Sequence, residues 1–150
     1  MLRLSRKTLL ALEAVIDIAF NARPEPVPAK EITDRQGVPQ RYLEQVMQQL
    51  VRAGVLKGVR GPKGGYRLAR ERRRISVGDV VRVAESIEDG DEEKIRPRSD
   101  LGRRIVAPLV QRLQDDMMAQ LDAVSIEDLC QRARAQEVPM SGGTGADFAI

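Results

Sequence analysis

The sequence has 150 residues, a hydrophobic fraction of 42% and a formal net charge of +3, which fits one domain with an appended oligomerisation element. One cysteine and no histidine exclude an internal disulfide, a Cys–His or Ser–His–Asp catalytic set and a zinc site of His/Cys spacing. We therefore expect no enzyme. No apolar run is long enough to span a membrane and no signal peptide is recognisable, so we expect a cytoplasmic protein without a membrane partner.

Charge is distributed unevenly along the chain. Residues 1–86 carry 17 Lys and Arg against 9 Asp and Glu, whereas residues 87–150 carry 8 against 13. A basic half is the electrostatic footprint expected of a polyanion binder. An ordinary solvated basic surface would give the same count.

Helical periodicity predicts a first helix over residues 5–22, with Ser5 as its N-cap. One apolar face is expected to pack on the core, and a second apolar row to contact another layer or subunit. The first face comprises Leu9, Leu12, Val15, Ile16 and Ala19, and the second row comprises Leu10, Ala14 and Ile18. Arg3, Arg6 and Lys7 lie near the start of this helix, either as phosphate contacts or as solvated charges.

A short second helix is predicted from Ala29 to about Gln36, ending at Gly37. A third helix follows, with Pro39 at its first position. Its apolar stripe consists of Leu43, Val46, Met47 and Leu50. Its opposite face carries Gln40, Arg41, Glu44, Gln45, Gln48 and Arg52, and the amides on it both donate and accept hydrogen bonds. These two helices and the turn between them form a helix-turn-helix pair.

Gly54 ends the third helix, and a two-stranded ribbon is predicted over residues 55–59 and 66–68. The ribbon turns through glycine and proline at residues 60–65 and is charged by Arg60 and Lys63. A polar-faced helix followed by a basic ribbon tip is the layout of a winged helix-turn-helix domain, which binds double-stranded DNA. An ordinary surface helix followed by a hairpin would give the same pattern.

The rest of the chain begins with an arginine-rich connector, residues 69–74, available to phosphate or simply solvated. Ser76 and Asp79 then predict a capping box, opening a helix whose buried face carries Val77, Val80, Val81 and Ala84. Residues 86–100 are polar and lack periodicity, which is typical of a loop.

A long amphipathic helix is predicted over residues 101–122, with Pro108 either kinking it or marking its true start. Its apolar stripe consists of Leu101, Ile105, Leu109, Leu113, Met117 and Leu121, widened by Val106 and Val110. We expect a dimer arm, with folding back onto its own core as the alternative. Ser125 caps a last helix, 126–135, on whose apolar face Cys130 is more typical of a core residue than of a ligand.

These elements predict a mainly α fold in four segments. Residues 1–86 form a winged helix-turn-helix domain with a small two-stranded wing, and residues 87–100 form a loop. Residues 101–136 hold the dimerisation helix and a short capping helix, and residues 137–150 form a disordered tail.

Three stretches of the sequence resemble the Rrf2 family of bacterial transcription regulators, most closely its iron–sulfur-cluster-sensing branch. They are YLEQ at 42–45, LVRAGVLKGVRGPKGGYRLA at 50–69 and ISVGDVVRV at 75–83, and PVPAKEITDRQG at 26–37 fits the same pattern. The resemblance implies a homodimer of winged helix-turn-helix domains joined by the long helix. It also implies that each recognition helix enters a major groove and each wing approaches a minor groove.

The resemblance further implies roles for individual residues. Tyr42 would contact the DNA backbone, Glu44 and Gln45 would face the bases, and Arg60 with Gly61 would lie at the wing contact. Together with the polar helix face and the ribbon tip, the candidate DNA-binding residues are Ser5, Pro39, Gln40, Arg41, Tyr42, Glu44, Gln45, Gln48, Arg60, Gly61, Pro62, Lys63 and Gly64.

The iron–sulfur cluster bound by the cluster-sensing members of the Rrf2 family is not expected in this protein. The cluster-binding members have three grouped cysteines just before the long helix, and residues 86–100 here contain none. Carboxylates and arginines cannot replace three thiolates, so we predict no iron–sulfur cluster, metal or other cofactor. The signal to which such a regulator responds could be a metabolite, a partner protein or an altered redox input, and the sequence does not choose between them.

We therefore expect a dimeric, sequence-specific DNA-binding transcriptional regulator of the repressor type. The alternative is a winged-helix protein-interaction module without sequence-specific DNA binding. The amide-rich face of the third helix favours DNA, because a protein-interaction module would be expected to expose an apolar face there.

Overall fold

A computed structural model describes residues 4–88 and 97–140, without the side chains of residues 87 and 88. The predicted mainly α, winged helix-turn-helix fold is confirmed within these residues. The elements are α1 Arg6–Phe20, α2 Ala29–Gln36, α3 Gln40–Arg52, β1 Leu56–Val59, β2 Gly65–Leu68, a 3-10 helix Arg72–Arg74, α4 Val77–Glu88, a π-helical turn Gly102–Val106, α5 Ala107–Asp122 and α6 Ile126–Ala135. None of the described helices is both long and apolar enough to cross a membrane.

Helix α1 occupies the centre of the fold, in contact with α2, α3, α4, α6 and β2. Ser5 caps it as predicted, because the Ser5 hydroxyl accepts a hydrogen bond from the Thr8 amide at 3.1 Å. Both predicted apolar rows contribute to the core, with one exception. The row of Leu10, Ala14 and Ile18 is buried, as are Val15 and Ala19 of the first face, whereas Leu9 is 52% exposed. Periodicity finds an apolar face but does not tell where along the helix its burial begins.

The turn between α2 and α3 follows the predicted chemistry, with one shift. Gly37 ends α2 in the left-handed region at φ 71°, where a glycine avoids the steric cost of a Cβ. Pro39 was predicted at the first helical position but is the N-cap. Its ψ of 137° is extended, so the first helical residue is Gln40. The core stripe of α3 is buried as predicted.

An ion-pair network fixes α2 against α1. The Arg35 guanidinium donates to both carboxylate oxygens of Asp17, at 2.7 and 2.6 Å. Arg23 donates to Glu31 at 2.8 Å, and this hydrogen bond lowers the pKa of Glu31. Because Asp17 belongs to α1 and Arg35 to α2, the network sets the angle at which the helix-turn-helix leaves the core.

The wing is an antiparallel pair in which Leu56 lies opposite Leu68 and Val59 opposite Gly65. Strand β1 begins one residue later than predicted, and β2 begins one residue earlier. Only Leu56 of β1 is buried. The ribbon is therefore anchored at its base and exposed towards its tip.

Helices α4 and α6 begin with equivalent capping boxes. At α4 the amide of Asp79 donates to the Ser76 hydroxyl at 2.9 Å and the amide of Ser76 donates to the Asp79 carboxylate at 3.0 Å. This confirms the predicted capping box. Ser125 and Asp128 form the same box at α6, with distances of 3.0 and 2.9 Å.

A backbone bridge joins these two helix starts. The Val77 amide donates to the Val124 carbonyl at 2.8 Å, and the Ile126 amide donates to the Ile75 carbonyl at 2.9 Å. Ile126 and Cys130 of α6 lie in the same hydrophobic core as α1 and α3. Helix α6 therefore packs on the winged domain, and the four-segment division stays a prediction.

The long C-terminal helix is continuous across Pro108 because a π turn precedes it. The Ala107 amide donates to the Gly102 carbonyl, five residues back, and Pro108 then lies in the first turn of α5. The predicted loop lies mostly outside the described residues, and Ser86 to Glu88 belong to α4 instead. The predicted tail lies outside them from residue 141 onwards.

We expect Asp17→Asn to lower the free energy of unfolding by about 1–2 kcal/mol, since it removes a charge from two hydrogen bonds to a partly exposed arginine. The Asp17 side chain is only 10% exposed. Asp34→Asn is the matched control, because Asp34 pairs with Lys30 at 3.6 Å on the exposed face of α2 and should change stability by less than about 0.5 kcal/mol. Urea denaturation measures both. Equal losses would contradict a structural role for the Asp17–Arg35 pair.

Candidate nucleic-acid interface

The outward face of α3 is set by the burial of its opposite side. Leu43, Val46, Met47 and Leu50 all lie in the core, which locks the rotation of the helix about its axis. The exposed candidates on this face are Gln40, Arg41, Gln45 and Gln48, and Glu44 and Tyr42 are half-buried. The structure thus presents an amide-rich surface over more than two turns of one helix.

Glu44 is hydrogen-bonded within its own helix, and its charge acts on the wing. The Gln40 amide donates to the Glu44 carboxylate at 2.9 Å, which leaves further acceptor positions on that carboxylate. Burial raises the pKa of Tyr66 in β2, and the negative charge of Glu44 raises it further. The Tyr66 phenol is therefore neutral at pH 7, and the side chains of α3 and β2 share one electrostatic environment.

The start of α1 approaches the start of α3. The Lys7 ammonium lies 6.0 Å from the centre of the Tyr42 ring, at the limit of a cation–π contact. The sequence left Lys7 open between a phosphate contact and a solvated charge, and this contact with Tyr42 was missed because no local pattern links residues so distant in the chain. Ser5 serves as a helix cap, with its hydroxyl also 3.0 Å from that of Thr8.

The tip of the wing is a tight, exposed and basic turn. Arg60, Gly61, Pro62 and Lys63 are exposed, and the Gly64 amide donates to the Gly61 carbonyl at 2.9 Å. Gly61 has a φ of 113°, and a Cβ on Gly64 would lie 2.3 Å from the Val59 carbonyl oxygen. Both glycines are therefore required for the turn that presents Arg60 and Lys63.

The wing is attached to the segment that precedes α2. The Val27 amide donates to the Tyr66 carbonyl at 3.0 Å, and the Tyr66 amide donates to the Val27 carbonyl at 2.8 Å. A Cβ on Gly65 would lie 2.3 Å from the Val27 carbonyl oxygen, so only glycine permits this approach. Arg67 adds a hydrogen bond to the Pro24 carbonyl.

The arginine-rich connector is partly structural. Arg72 forms an ion pair with Glu127 of α6, and the Arg70 guanidinium lies 3.7 Å from the carboxylate of Asp79. Arg73 and Arg74 are exposed. The sequence of residues 69–74 allowed two roles for these arginines, phosphate binding or exposure to solvent. Arg72 has neither role in the structure, because its ion pair joins the connector to α6.

The sequence matches the Rrf2 family, described as an iron-dependent transcriptional regulator, over residues 4–132. The HTH-type transcriptional regulator IscR of Vibrio atlanticus is 39% identical over 99 residues, covering 66% of this chain and 56% of that protein. IscR of Xenorhabdus nematophila is 31% identical over 138 residues, covering 91% of this chain and 84% of the relative. The chain thus spans little more than half the length of the Vibrio relative.

Solved structures of the same family share the fold. The structure described as T. potens IscR superposes with a TM-score of 0.72 at 30% identity, covering 93% of both chains. CymR of B. subtilis, described as the global cysteine regulator, gives 0.70 at 30% identity, covering 88% of this chain and 98% of that one. These matches confirm the resemblance drawn from the sequence and agree with the prediction that the chain is not an enzyme.

The residues of this chain do not fit the iron–sulfur cluster considered above. The full sequence has one cysteine and no histidine, which is too few thiolates for a cluster held by one chain. Cys130 is completely buried, and burial raises the pKa of its thiol, so it is protonated at pH 7. Among the described residues, no group of three His, Cys, Asp or Glu is placed to hold a metal ion.

The wing attachment generates a stability prediction. Gly65→Ala should lower the free energy of unfolding by about 1–3 kcal/mol, because the added methyl group overlaps the Val27 carbonyl. Gly58→Ala in β1 is the matched control, since its Cβ would meet only the Tyr66 ring at 4.0 Å and should change stability by less than about 0.5 kcal/mol. Thermal and urea unfolding would measure both. A Gly65→Ala protein as stable as the Gly58→Ala protein would contradict the close approach of β2 to Val27.

Proposed function

The chain belongs to the Rrf2 family of transcriptional regulators, and we propose that it binds double-stranded DNA sequence-specifically as a homodimeric transcriptional regulator. The observation that carries this proposal is the joint placement of the amide-rich face of α3 and the basic tip of the wing. The Val27–Tyr66 hydrogen bonds hold β2 against the helix-turn-helix. Helix α3, which we propose reads the bases, and the wing are therefore parts of one rigid unit, as a winged helix on DNA requires.

The two parts suit different kinds of contact. Gln40, Gln45 and Gln48 each present an amide that donates and accepts, which matches the mixed donor and acceptor pattern of base edges in the major groove. Lys63 at the wing tip carries a flexible ammonium that suits phosphate. Arg60 has a planar guanidinium, which suits insertion into a narrow minor groove.

Homodimerisation is supported by the surface of the long helix. An apolar stripe runs along it, and its members are exposed in the single chain by 44% to 73%. The stripe comprises Leu101, Ile105, Leu109 and Leu113, flanked by Val106. A contiguous exposed apolar surface on a helix marks a protein contact. A second copy of the same helix would cover it with two-fold symmetry, matching the two half-sites of a palindromic operator.

We further propose that the protein acts as a repressor in the cytoplasm, without an iron–sulfur cluster. Repression requires only that the dimer occupies its operator, so no additional activating surface is needed. The single buried thiol of Cys130 leaves the signal to come from a small molecule or a partner protein rather than from cluster assembly on this chain.

The dimer proposal makes a direct prediction for the stripe. Leu109→Glu should convert a dimer into a monomer, since it introduces a charge into each half of the apolar contact. Light scattering at micromolar concentration should give twice the 16.7 kDa chain mass for the unchanged protein and a single chain mass for the variant.

Gln111→Lys is the control, because Gln111 lies on the opposite side of α5, within hydrogen-bond distance of Asp115 at 2.9 Å. This variant should remain dimeric. A monomeric unchanged protein, or a control that dissociates equally, would contradict a dimer built on this stripe.

The DNA proposal predicts that Lys63→Ala and Glu44→Ala affect binding differently. Each lost phosphate contact lowers the log–log salt slope by about 0.9, so Lys63→Ala should lower it by about 2 per dimer and weaken all sequences alike. Glu44→Ala should leave non-specific affinity equal or stronger, because it removes a charge that repels phosphate. It should change preference at one or two base pairs by about 1–3 kcal/mol each.

Selection from a randomised duplex library at two salt concentrations measures both effects. Arg112→Ala removes an exposed charge from α5 and should leave both slope and preference unchanged. Undetectable binding to every duplex would favour a protein-interaction module instead. A uniform loss with unchanged preference in Glu44→Ala would show that α3 does not read bases.

A further inference from the structure

A cavity of about 790 Å³ lies away from the tip of the wing, where five parts of the chain meet. They are the end of α1, the last residue of β2, the arginine-rich connector, α6 and the segment after α6 that contains Met140. This volume lies within the range of small-molecule sites, about 300–1,000 Å³. None of the candidate DNA-binding residues lines it.

The lining divides into an apolar part and a cationic part. Phe20 and Leu68 contribute apolar surface, and four arginines face two glutamates around it. One arginine, Arg72, is neutralised by its ion pair with Glu127. Arg73 and Arg134 are exposed and, within the described part of the chain, form no ion pair with a carboxylate. The cavity therefore combines available guanidinium groups with a hydrocarbon surface.

We propose that this cavity binds a small organic anion that carries a short apolar part. The planar guanidinium groups of Arg73 and Arg134 match a carboxylate or phosphate through paired N–H donors. Phe20 and Leu68 provide the surface on which the apolar part is removed from water. A purely inorganic anion leaves that surface unused, and a neutral hydrocarbon leaves the two guanidinium groups without a partner.

The position of the cavity suits a signal input to the proposed regulator. Its walls include Leu68, which ends β2, and the connector that joins the wing to α4. An occupant would thus contact both the base of the wing and the α6 surface. The inference that the anion controls operator binding rests on the proposed function. The inference that the anion binds in this cavity does not.

Isothermal titration calorimetry on the full chain without DNA tests the site with octanoate as the probe. Octanoate should bind at least tenfold more tightly than each of three reference compounds. Acetate and inorganic phosphate lack the apolar part, and octanol lacks the charge. The double variant Arg73→Gln/Arg134→Gln should weaken octanoate binding at least tenfold. The variant Arg104→Gln/Arg112→Gln removes the same charge from exposed positions outside the cavity and should bind octanoate like the unchanged protein.

Three results would overturn the proposal. The first is no measurable octanoate binding, and the second is octanol binding as tight as octanoate binding. The third is an equal loss of octanoate affinity in the two double variants, which would show that only the net charge of the protein matters. Unfolding midpoints of both variants should match the unchanged protein, because all four arginines are exposed. DNA binding measured on the same samples separates the proposals, since octanoate binding with absent DNA binding contradicts only the regulator function.

Discussion

The geometry of the candidate interface depends on one contact, the paired hydrogen bonds between Val27 and Tyr66. They join the second strand of the wing to the residues that enter α2, so the ribbon cannot swing independently of the helix-turn-helix. The contact exists only because residue 65 is glycine, since any Cβ there would overlap the Val27 carbonyl. A ribbon of two short strands is marginal on its own, and this third partner gives it a fixed direction relative to α3.

From that constraint the remaining surfaces divide by chemistry. The amide-rich face of α3 and the basic wing tip are hydrophilic and suit a hydrated, charged partner such as DNA. The stripe along the long helix, residues 101–113, is apolar and exposed in one chain, and it suits a second copy of the same helix. The cavity beside α6 combines both characters and suits a small amphipathic anion. Because each surface is carried by different residues, each can be altered by substitution without changing the residues of the other two.

Much of this arrangement was predictable from local sequence rules. The stripe of α3, the Ser76–Asp79 capping box and the glycine turn of the wing each depend on residues within a few positions of one another, and each was found. The exposure of Leu9 and the accommodation of Pro108 by a π turn were not found, because they depend on packing and on backbone adjustment. Contacts such as Arg72–Glu127 join residues far apart in the chain, and no spacing rule encodes them.

Hydrogen exchange, measured residue by residue with and without duplex DNA, tests most directly whether helix α3 and the wing form one DNA-binding unit. We expect the amides of Val27 and Tyr66 to be protected in the free protein to the level of the core, because their hydrogen bonds open only with the fold. We also expect amides at residues 60–64 and in the first turns of α3 to gain protection only when a bound duplex is present. Rapid exchange of Tyr66 in the free protein, or unchanged exchange at the wing tip with bound duplex, would contradict a single DNA-binding unit.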